Sequence, residues 1–215
     1  MKSKTEPVIR PVPKLWPEST IICLGCGPSL SQEDIDFCRD RARVIAVKDT
    51  WRLAPWADVL YACDGKWWDF YKGVPEFHGL KFGLTVDGHW PDVNALRNTG
   101  MDGLERDPSG LRTGQNSGYQ AINLAVHLGA TRILLLGYDM QRVKGKAHWY
   151  GEHLGTGYQH TASPYHLFLR CFETIGEPLQ QLGIEVINCS PQTALTMFPC
   201  QSIREALAVE PVLVA

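Results

Sequence analysis

Residues 20–31, TIICLGCGPSLS, lead from an apolar run through a glycine-containing loop to a helix start. The four successive apolar side chains at 21–24 are typical of a strand that is buried on both faces of a sheet. Ser31, with Asp34 three residues later, resembles a capping box, which predicts that a helix begins at about Ser31. A strand, a tight loop and a helix in this order indicate an α/β protein.

The same alternation continues along the chain. Further strands are predicted at 44–47, 58–62, 81–85, 132–136 and 184–188. Further helices are predicted at 66–71, 117–128, 164–182 with a break near Gly176 and Pro178, and 202–208. Ser117 and Gln120 form a Ser-x-x-Gln box, so Ser117 is expected to cap the second of these helices. The pattern predicts an α/β fold, a single Rossmann-like domain with a mostly parallel sheet and helices on both faces.

Two segments interrupt the alternation. Residues 86–116 and 138–162 carry glycine, proline and polar residues throughout and are predicted as long irregular excursions. Loops of this length inside a compact domain are often functional. Residues 1–17 hold four prolines and are expected to form an extended N-terminal arm, which leaves 18–215 as the domain.

Length, charge and cysteine usage narrow the class of protein. The 215 residues suit one α/β domain, and 21 Lys+Arg against 23 Asp+Glu give a net charge of −2, which excludes a basic field over the whole protein. No apolar stretch approaches the roughly 18–20 residues of a membrane span, and no secretory signal is recognisable. Seven cysteines at irregular spacing do not suggest a disulfide framework, so a cytoplasmic location is expected. The pair Cys23-x-x-Cys26 is interpreted as small core residues.

Ligands of parallel sheets bind beyond the carboxyl ends of the strands, where several polar segments are predicted to meet. The loop at 25–29 joins a strand to a helix start, whose free N–H groups and positive dipole end suit a phosphate. It lacks the third glycine of a dinucleotide motif and the lysine of a P-loop. Asn116, Ser117 and Gly118 open another helix in the same way. The nucleotide-binding residues predicted here are Gly25, Gly27, Pro28, Ser29, Lys48, Asp64, Asn116, Ser117 and Gly118.

Four of the seven histidines lie between 148 and 166, and imidazole titrates near neutral pH, where it can take a proton from a hydroxyl. The candidate catalytic residues are His148, His153, His160 and Asp139; the carboxylate is expected to orient a histidine, hold a hydroxyl or cap a loop. Arg142, Lys144 and Lys146 form a basic run suited to a phosphate leaving group. No metal site is predicted, because the histidines and cysteines lack ligand-like spacing.

Three ordered motifs resemble a known group of proteins: GCGPSL at 25–30, NSGYQAINLAVHLG at 116–129 and ILLLGYD at 133–139. Together they resemble the bacterial sialyltransferases that use CMP-activated sialic acid, and the 6-hydroxymethylpterin diphosphokinase-like domain, with bacteriophage-borne members most similar. The resemblance covers residues 20–200. It implies a Rossmann-like fold, a nucleotide on the glycine loop, and a base or ribose contact at Asn116–Gly118. It also implies that a histidine after Tyr-x-Gly is the general base, for which His153 is the nearest match.

Three functions follow from these patterns and the resemblance. The first is a glycosyltransferase that moves a sugar from a nucleotide donor to an acceptor hydroxyl and requires no cofactor. The second is an ATP-dependent diphosphotransferase, which needs Mg²⁺. The third is a catalytically silent nucleotide-binding module. The acceptor is not encoded in any recognisable motif, and a modified DNA base is one candidate in a phage setting.

Overall fold

The computed structural model describes residues 8–84, 90–151 and 164–208, and the elements follow the predicted order. The strands are β1 (Ser19–Leu24), β2 (Arg43–Val47), β3 (Val59–Ala62), β4 (Leu80–Leu84), β5 (Val93–Asn98), β6 (Gly110–Leu111), β7 (Ala130–Leu136) and β8 (Glu185–Asn188). The helices are α1 (Gln32–Cys38), α2 (Gly65–Phe70), α3 (Ser117–Leu128), α4 (Tyr165–Glu173), α5 (Gly176–Gln181) and α6 (Ile203–Ala208), with a 3₁₀ helix at Lys48–Arg52.

The described strands form one eight-stranded sheet in the order β6-β5-β4-β3-β2-β1-β7-β8, and neighbouring strands are parallel. After β1, the chain adds β2 to β6 on one side and then returns to place β7 on the other side of β1. The strand order therefore reverses between β1 and β7, and a ligand crevice is expected at the carboxyl ends of the strands around this switch point. The predicted Rossmann-like α/β fold is confirmed.

The sheet has an apolar core on each face. Along β1, Ile21 and Cys23 point into one core, whereas Ile22 and Leu24 point into the other. Helices α3, α4 and α5 contribute to the first core, and α1, α2 and α6 contribute to the second. Because both faces are covered, β1, β2, β3 and β7 each end in four consecutive apolar residues, which is why their sequences do not alternate.

The prediction that residues 86–116 form an irregular excursion was wrong in part. It contains β5, which pairs with β4, and the two-residue strand β6, which pairs with β5. These strands lie at the edge of the sheet, where β5 is buried in its first half and exposed at Arg97 and Asn98. Both strands lack the continuous apolar run that identified the central strands, since β5 contains Asn94, Arg97 and Asn98 and β6 has only two residues.

The predicted cap of α3 was also wrong, although the helix has the predicted bounds. The N-cap is Asn116, whose Oδ1 accepts hydrogen bonds from the N–H groups of Gly118 (2.8 Å) and Tyr119 (3.2 Å). Ser117 instead donates to the Cys63 thiol at 3.1 Å. In contrast, Ser31 caps α1 as predicted, since its Oγ accepts from the Asp34 N–H.

The described part of the N-terminal segment runs along the domain. Ile9 forms a parallel bridge with Ala95, and Val12 is buried and donates its N–H to the Pro108 oxygen.

The predicted helix break near Gly176 is confirmed, because α4 ends at Glu173 and α5 begins at Gly176. None of the helices in the described part of the chain has the length and apolar character that a membrane crossing requires.

Candidate functional site

A cavity of about 320 Å³ opens at the carboxyl edge of the central strands. Its volume lies within the range of small-molecule sites, at the lower end. Segments from both sides of the switch point between β1 and β7 build its walls. The lining includes Gly25, Cys26, Gly27, Lys48, Cys63, Asp64, Gln115, Asn116, Ser117, Gly118, Tyr138, Asp139, Met140, Gln141, Arg142, His148, Tyr150, Tyr165 and Phe168.

The glycine loop, residues 25–29, is bound tightly to the segment that follows β7. Gly25 donates its N–H to Leu136 at 2.7 Å, and Gly27 donates its N–H to Gly137 at 2.8 Å. A Cβ on Gly27 would lie 2.6 Å from the Gly137 oxygen and would also overlap the Asp139 carboxylate. The glycine is therefore required by this close approach. Since these N–H groups serve the protein itself, a bound phosphate must find other donors.

Asp139 anchors the remainder of the glycine loop. Its carboxylate accepts hydrogen bonds from the Ser29 N–H (2.8 Å) and the Ser29 hydroxyl (2.7 Å), and only 1% of the residue is exposed. Burial raises the pKa of Asp139, and the two bonds from Ser29 oppose that shift. Of the roles predicted for this carboxylate, the geometry matches the capping of a loop. Ser29 and Pro28 do not belong to the lining of the cavity in the described structure.

Lys48 and Asp64 form an ion pair at the ends of β2 and β3, with 2.5 Å between Nζ and Oδ2. Both residues line the cavity. Burial alone would lower the pKa of Lys48, but negative charge on the neighbouring Cys63 sulfur and on the Asp64 carboxylate raises the pKa above its ordinary value. Lys48 has a φ of 47°, in the left-handed region, where residues other than glycine are strained. The pair gives this end of the cavity both a donor and an acceptor without net charge.

The start of α3 forms the neighbouring wall. Asn116, Ser117 and Gly118 all line the cavity, as the nucleotide prediction requires. Gly118 lies against Tyr138, whose ring carbon would be 2.8 Å from a Cβ at that position, and the Tyr138 hydroxyl donates to the Gly118 oxygen at 3.0 Å. The glycine at this helix start therefore also serves packing.

The basic run divides between the cavity and the surface. Arg142 lines the cavity and donates from Nη1 to the Gly145 oxygen at 2.7 Å. Val143 and Lys146 pair as an antiparallel bridge, so the run forms a tight turn. Lys144 and Lys146 are exposed on this turn and are not part of the lining. Arg142 is therefore the member of the run that the fold directs to the cavity.

One of the candidate histidines belongs to the cavity. The His148 ring stacks on the Tyr150 ring with centroids 5.1 Å apart and an interplanar angle of 12°, and both residues line the cavity. We refer to this pair as the aromatic wall. His153 and His160 lie outside the described residues.

Sequence reasoning missed Tyr165 and Phe168 of α4, which also line the cavity. Half-buried aromatic side chains on a helix suggest only core packing.

Two thiols lie at the glycine loop, of which Cys23 is buried and Cys26 is half-buried, and both are hydrogen-bonded. Cys26 contributes its Sγ to contacts with the Val47 oxygen (3.2 Å) and the Thr50 hydroxyl (3.4 Å). Burial raises the pKa of Cys26 to about 11 and that of Cys23 to about 12. Both thiols stay protonated at neutral pH, as expected of core residues. Within residues 8–84, 90–151 and 164–208, no three His, Cys, Asp or Glu side chains converge on a possible metal position.

The fold is similar to that of a solved enzyme. The structure of the sialyltransferase CstII from Campylobacter jejuni, in complex with the substrate analogue cytidine 5′-monophosphate, superposes with a TM-score of 0.51 at 13% sequence identity. The match covers 87% of this chain and 86% of that chain. No family model and no curated protein matches the sequence. The chain therefore has a sialyltransferase-like fold.

Proposed function

We propose that this protein is a nucleotide-dependent transferase of the sialyltransferase-like type, which moves a sugar from a nucleotide donor to an acceptor hydroxyl. The observation that carries the proposal is the position of the cavity at the switch point of this fold, between the glycine loop and the start of α3. The related fold binds cytidine 5′-monophosphate in CstII, and a nucleotide is the ligand we assign to the cavity here.

The charge distribution of the lining suggests how the nucleotide is oriented. The Lys48–Asp64 pair is neutral overall and offers hydrogen bonds to the uncharged nucleoside, whereas Arg142 supplies positive charge for a phosphate. Strands β2 and β7, from whose ends these groups come, are two strand spacings apart, or about 10 Å. We therefore assign the nucleoside to the β2–β3 end and the departing phosphate to Arg142.

The transfer itself requires a base. A histidine removes the proton of the acceptor hydroxyl, the oxygen attacks the sugar carbon bonded to the phosphate, and the electrons of the breaking bond leave with the phosphate, which Arg142 stabilises. His148 lies in the cavity wall. His153 remains the residue that the resemblance implies, and His160 is the third candidate.

A ligand screen tests the proposal. Thermal unfolding is measured with CMP, UMP, GMP, AMP, ATP and the corresponding nucleotide sugars. A true ligand at 100 times its Kd should stabilise the fold by about 2.7 kcal/mol. Lys48→Met, which removes the ammonium but keeps an aliphatic chain, should weaken binding. If no nucleotide stabilises the protein at millimolar concentration, the proposed function is wrong.

The histidines are distinguished by parallel kinetics on three alanine variants. The variant that lacks the base should lose about 10²–10⁴-fold in turnover while nucleotide affinity stays nearly unchanged. We predict this loss for His153→Ala and smaller losses for His148→Ala and His160→Ala. A large loss confined to one of the latter two would transfer the role to that residue. Near-wild-type turnover in all three would remove histidine base catalysis.

A further inference from the structure

Trp149 joins the aromatic wall to the glycine loop through its backbone and to the 3₁₀ helix after β2 through its side chain. Trp149 donates its backbone N–H to the Cys26 oxygen at 3.0 Å, and its indole Nε1 donates to the Thr50 hydroxyl at 3.3 Å. The guanidinium of Arg52 lies 5.5 Å from the centre of the indole ring. The residues on either side of Trp149 are His148 and Tyr150, the two members of the aromatic wall.

The Thr50 hydroxyl is the point where three strand ends meet. It is fully buried and donates its proton to the Gly25 oxygen at 2.8 Å while it accepts from the Trp149 indole. The Cys26 thiol lies 3.4 Å from the same oxygen. The bond to Gly25 uses the single proton of the hydroxyl, and the bond from the Trp149 indole uses one of its lone pairs. The hydroxyl therefore fixes the end of β1, the 3₁₀ helix after β2 and the loop after β7 relative to one another.

We infer that Trp149 and Thr50 form a clamp that holds the aromatic wall over the glycine loop, and that both are positioning residues for the transfer. They act through His148 and Tyr150, which face the cavity, while the indole is directed to the opposite side. The role of the clamp in transfer rests on the proposed function. The existence of the clamp is inferred only from the hydrogen bonds and from the residues that line the cavity. Because none of its bonds uses the Lys48–Asp64 pair, the clamp should affect turnover more than nucleotide affinity.

Two variants remove the bond between the clamp residues, and a third preserves it. Thr50→Val keeps the shape of the side chain but lacks the hydroxyl, whereas Thr50→Ser retains the hydroxyl. Trp149→Phe removes only the indole N–H and part of the ring. Loss of a hydrogen bond of ordinary strength corresponds to about a fivefold to tenfold change in a local opening equilibrium. Thr174→Val is the matched control, since its hydroxyl bonds to the Cys171 oxygen on α4, away from the clamp.

Hydrogen exchange is measured for the amides of 146–151, β1 and β7. In Thr50→Val and Trp149→Phe, exchange at 146–151 should accelerate about fivefold to tenfold while β1 and β7 keep their protection. Thr50→Ser and Thr174→Val should exchange like the wild type at 146–151. If Thr50→Val does not fold, Trp149→Phe decides the result. Unchanged exchange at 146–151 in a folded Trp149→Phe protein would overturn the clamp.

Turnover provides a separate readout. With a nucleotide sugar found in the screen, transfer or donor hydrolysis should fall about tenfold in both disrupting variants, with nucleotide Kd altered less than about threefold. Thr50→Ser should restore the rate. Equal losses in rate and affinity would show a general structural role and refute positioning. If the wild type binds no nucleotide, the proposed function fails, while the exchange measurements still decide whether the clamp exists.

Discussion

At the scale of single residues, several side chains that look like ligand-binding groups in the sequence serve the protein itself. Gly27 permits a close approach to Gly137 and Asp139, and Asp139 holds Ser29. Gly27 and Asp139 still belong to the candidate site, because both line the cavity and their contacts hold the glycine loop in place. These contacts do change the expected effect of mutation, since a substitution at Gly27 should affect the fold as well as the ligand.

Gly27→Ala should therefore destabilise the protein by about 1–3 kcal/mol, the usual cost of overpacking a well-packed site. The added Cβ would lie 2.6 Å from the Gly137 oxygen. Because this neighbour is a backbone atom, the overlap can be relieved only by a shift of the main chain. Urea unfolding monitored by tryptophan fluorescence measures the change. Gly65→Ala is the matched control, because a Cβ at that position has no neighbour within 4 Å. Equal stability of the two variants would contradict this account of Gly27.

At the scale of secondary-structure elements, α3 organises both the site and the edge of the sheet. Its N-terminus lines the cavity, while its middle holds the chain on either side of β6. Asn123, which is fully buried, accepts from the Glu105 N–H at 2.9 Å and from the Arg112 N–H at 3.3 Å, and donates to the Glu105 oxygen at 3.0 Å. A single side chain thus satisfies three backbone groups of a segment that has little regular structure.

Asn123→Ala should remove this support. Each buried backbone group left without a partner costs about 1–3 kcal/mol, so we expect a large loss of unfolding free energy. Hydrogen exchange should also show faster opening of residues 105–112 than of β1. The control is Asn98→Ala, because the Asn98 side chain is exposed and accepts a hydrogen bond from the Gly100 N–H. A loss at Asn123 no larger than that at Asn98 would disprove the predicted role.

At the scale of the whole molecule, the described cavity combines hydrogen-bonding groups with few uncompensated charges. The carboxylates in its described lining are those of Asp64 and Asp139, and both bind protein donors, Lys48 and Ser29. A magnesium-dependent phosphoryl or diphosphoryl transferase typically supplies carboxylates to its metal ions. The proposed glycosyltransferase does not need such a metal site, so metal dependence separates it from the diphosphotransferase.

Nucleotide binding should therefore be independent of divalent metal. Isothermal titration in the presence of EDTA should give a Kd within about threefold of that measured with millimolar Mg²⁺, because the lining offers cationic and neutral partners to the phosphate. The control is a nucleotide titration of a known Mg²⁺-dependent kinase under the same two conditions. A Kd that improves by more than tenfold on addition of Mg²⁺ would favour the diphosphotransferase instead.

The sequence by itself determined the order of strands and helices from β1 to β4 and from α3 to α6. Buried strands, helix periods and caps such as Ser31 are local patterns, which depend on residues within a few positions of one another. The local signal failed at β5 and β6, which lack a long apolar run, and at the cap of α3, where Asn116 and Ser117 are equally suitable cap residues. Because Asn116 is the cap, the Ser117 hydroxyl is left to bond with Cys63, which directly follows β3.

Only the tertiary structure decided which polar residues meet. Ser29 and Asp139 are 110 positions apart, and Thr50 and Trp149 are 99 positions apart, yet each pair is joined by a hydrogen bond. The return of the chain from β6 to β7 beside β1 creates these contacts, and no pattern within either segment specifies that return. The sequence therefore identified strand ends as the place for a site. The strand order selected Lys48, Asp64, Arg142 and His148 as the groups that share one cavity, because side chains at neighbouring carboxyl ends converge.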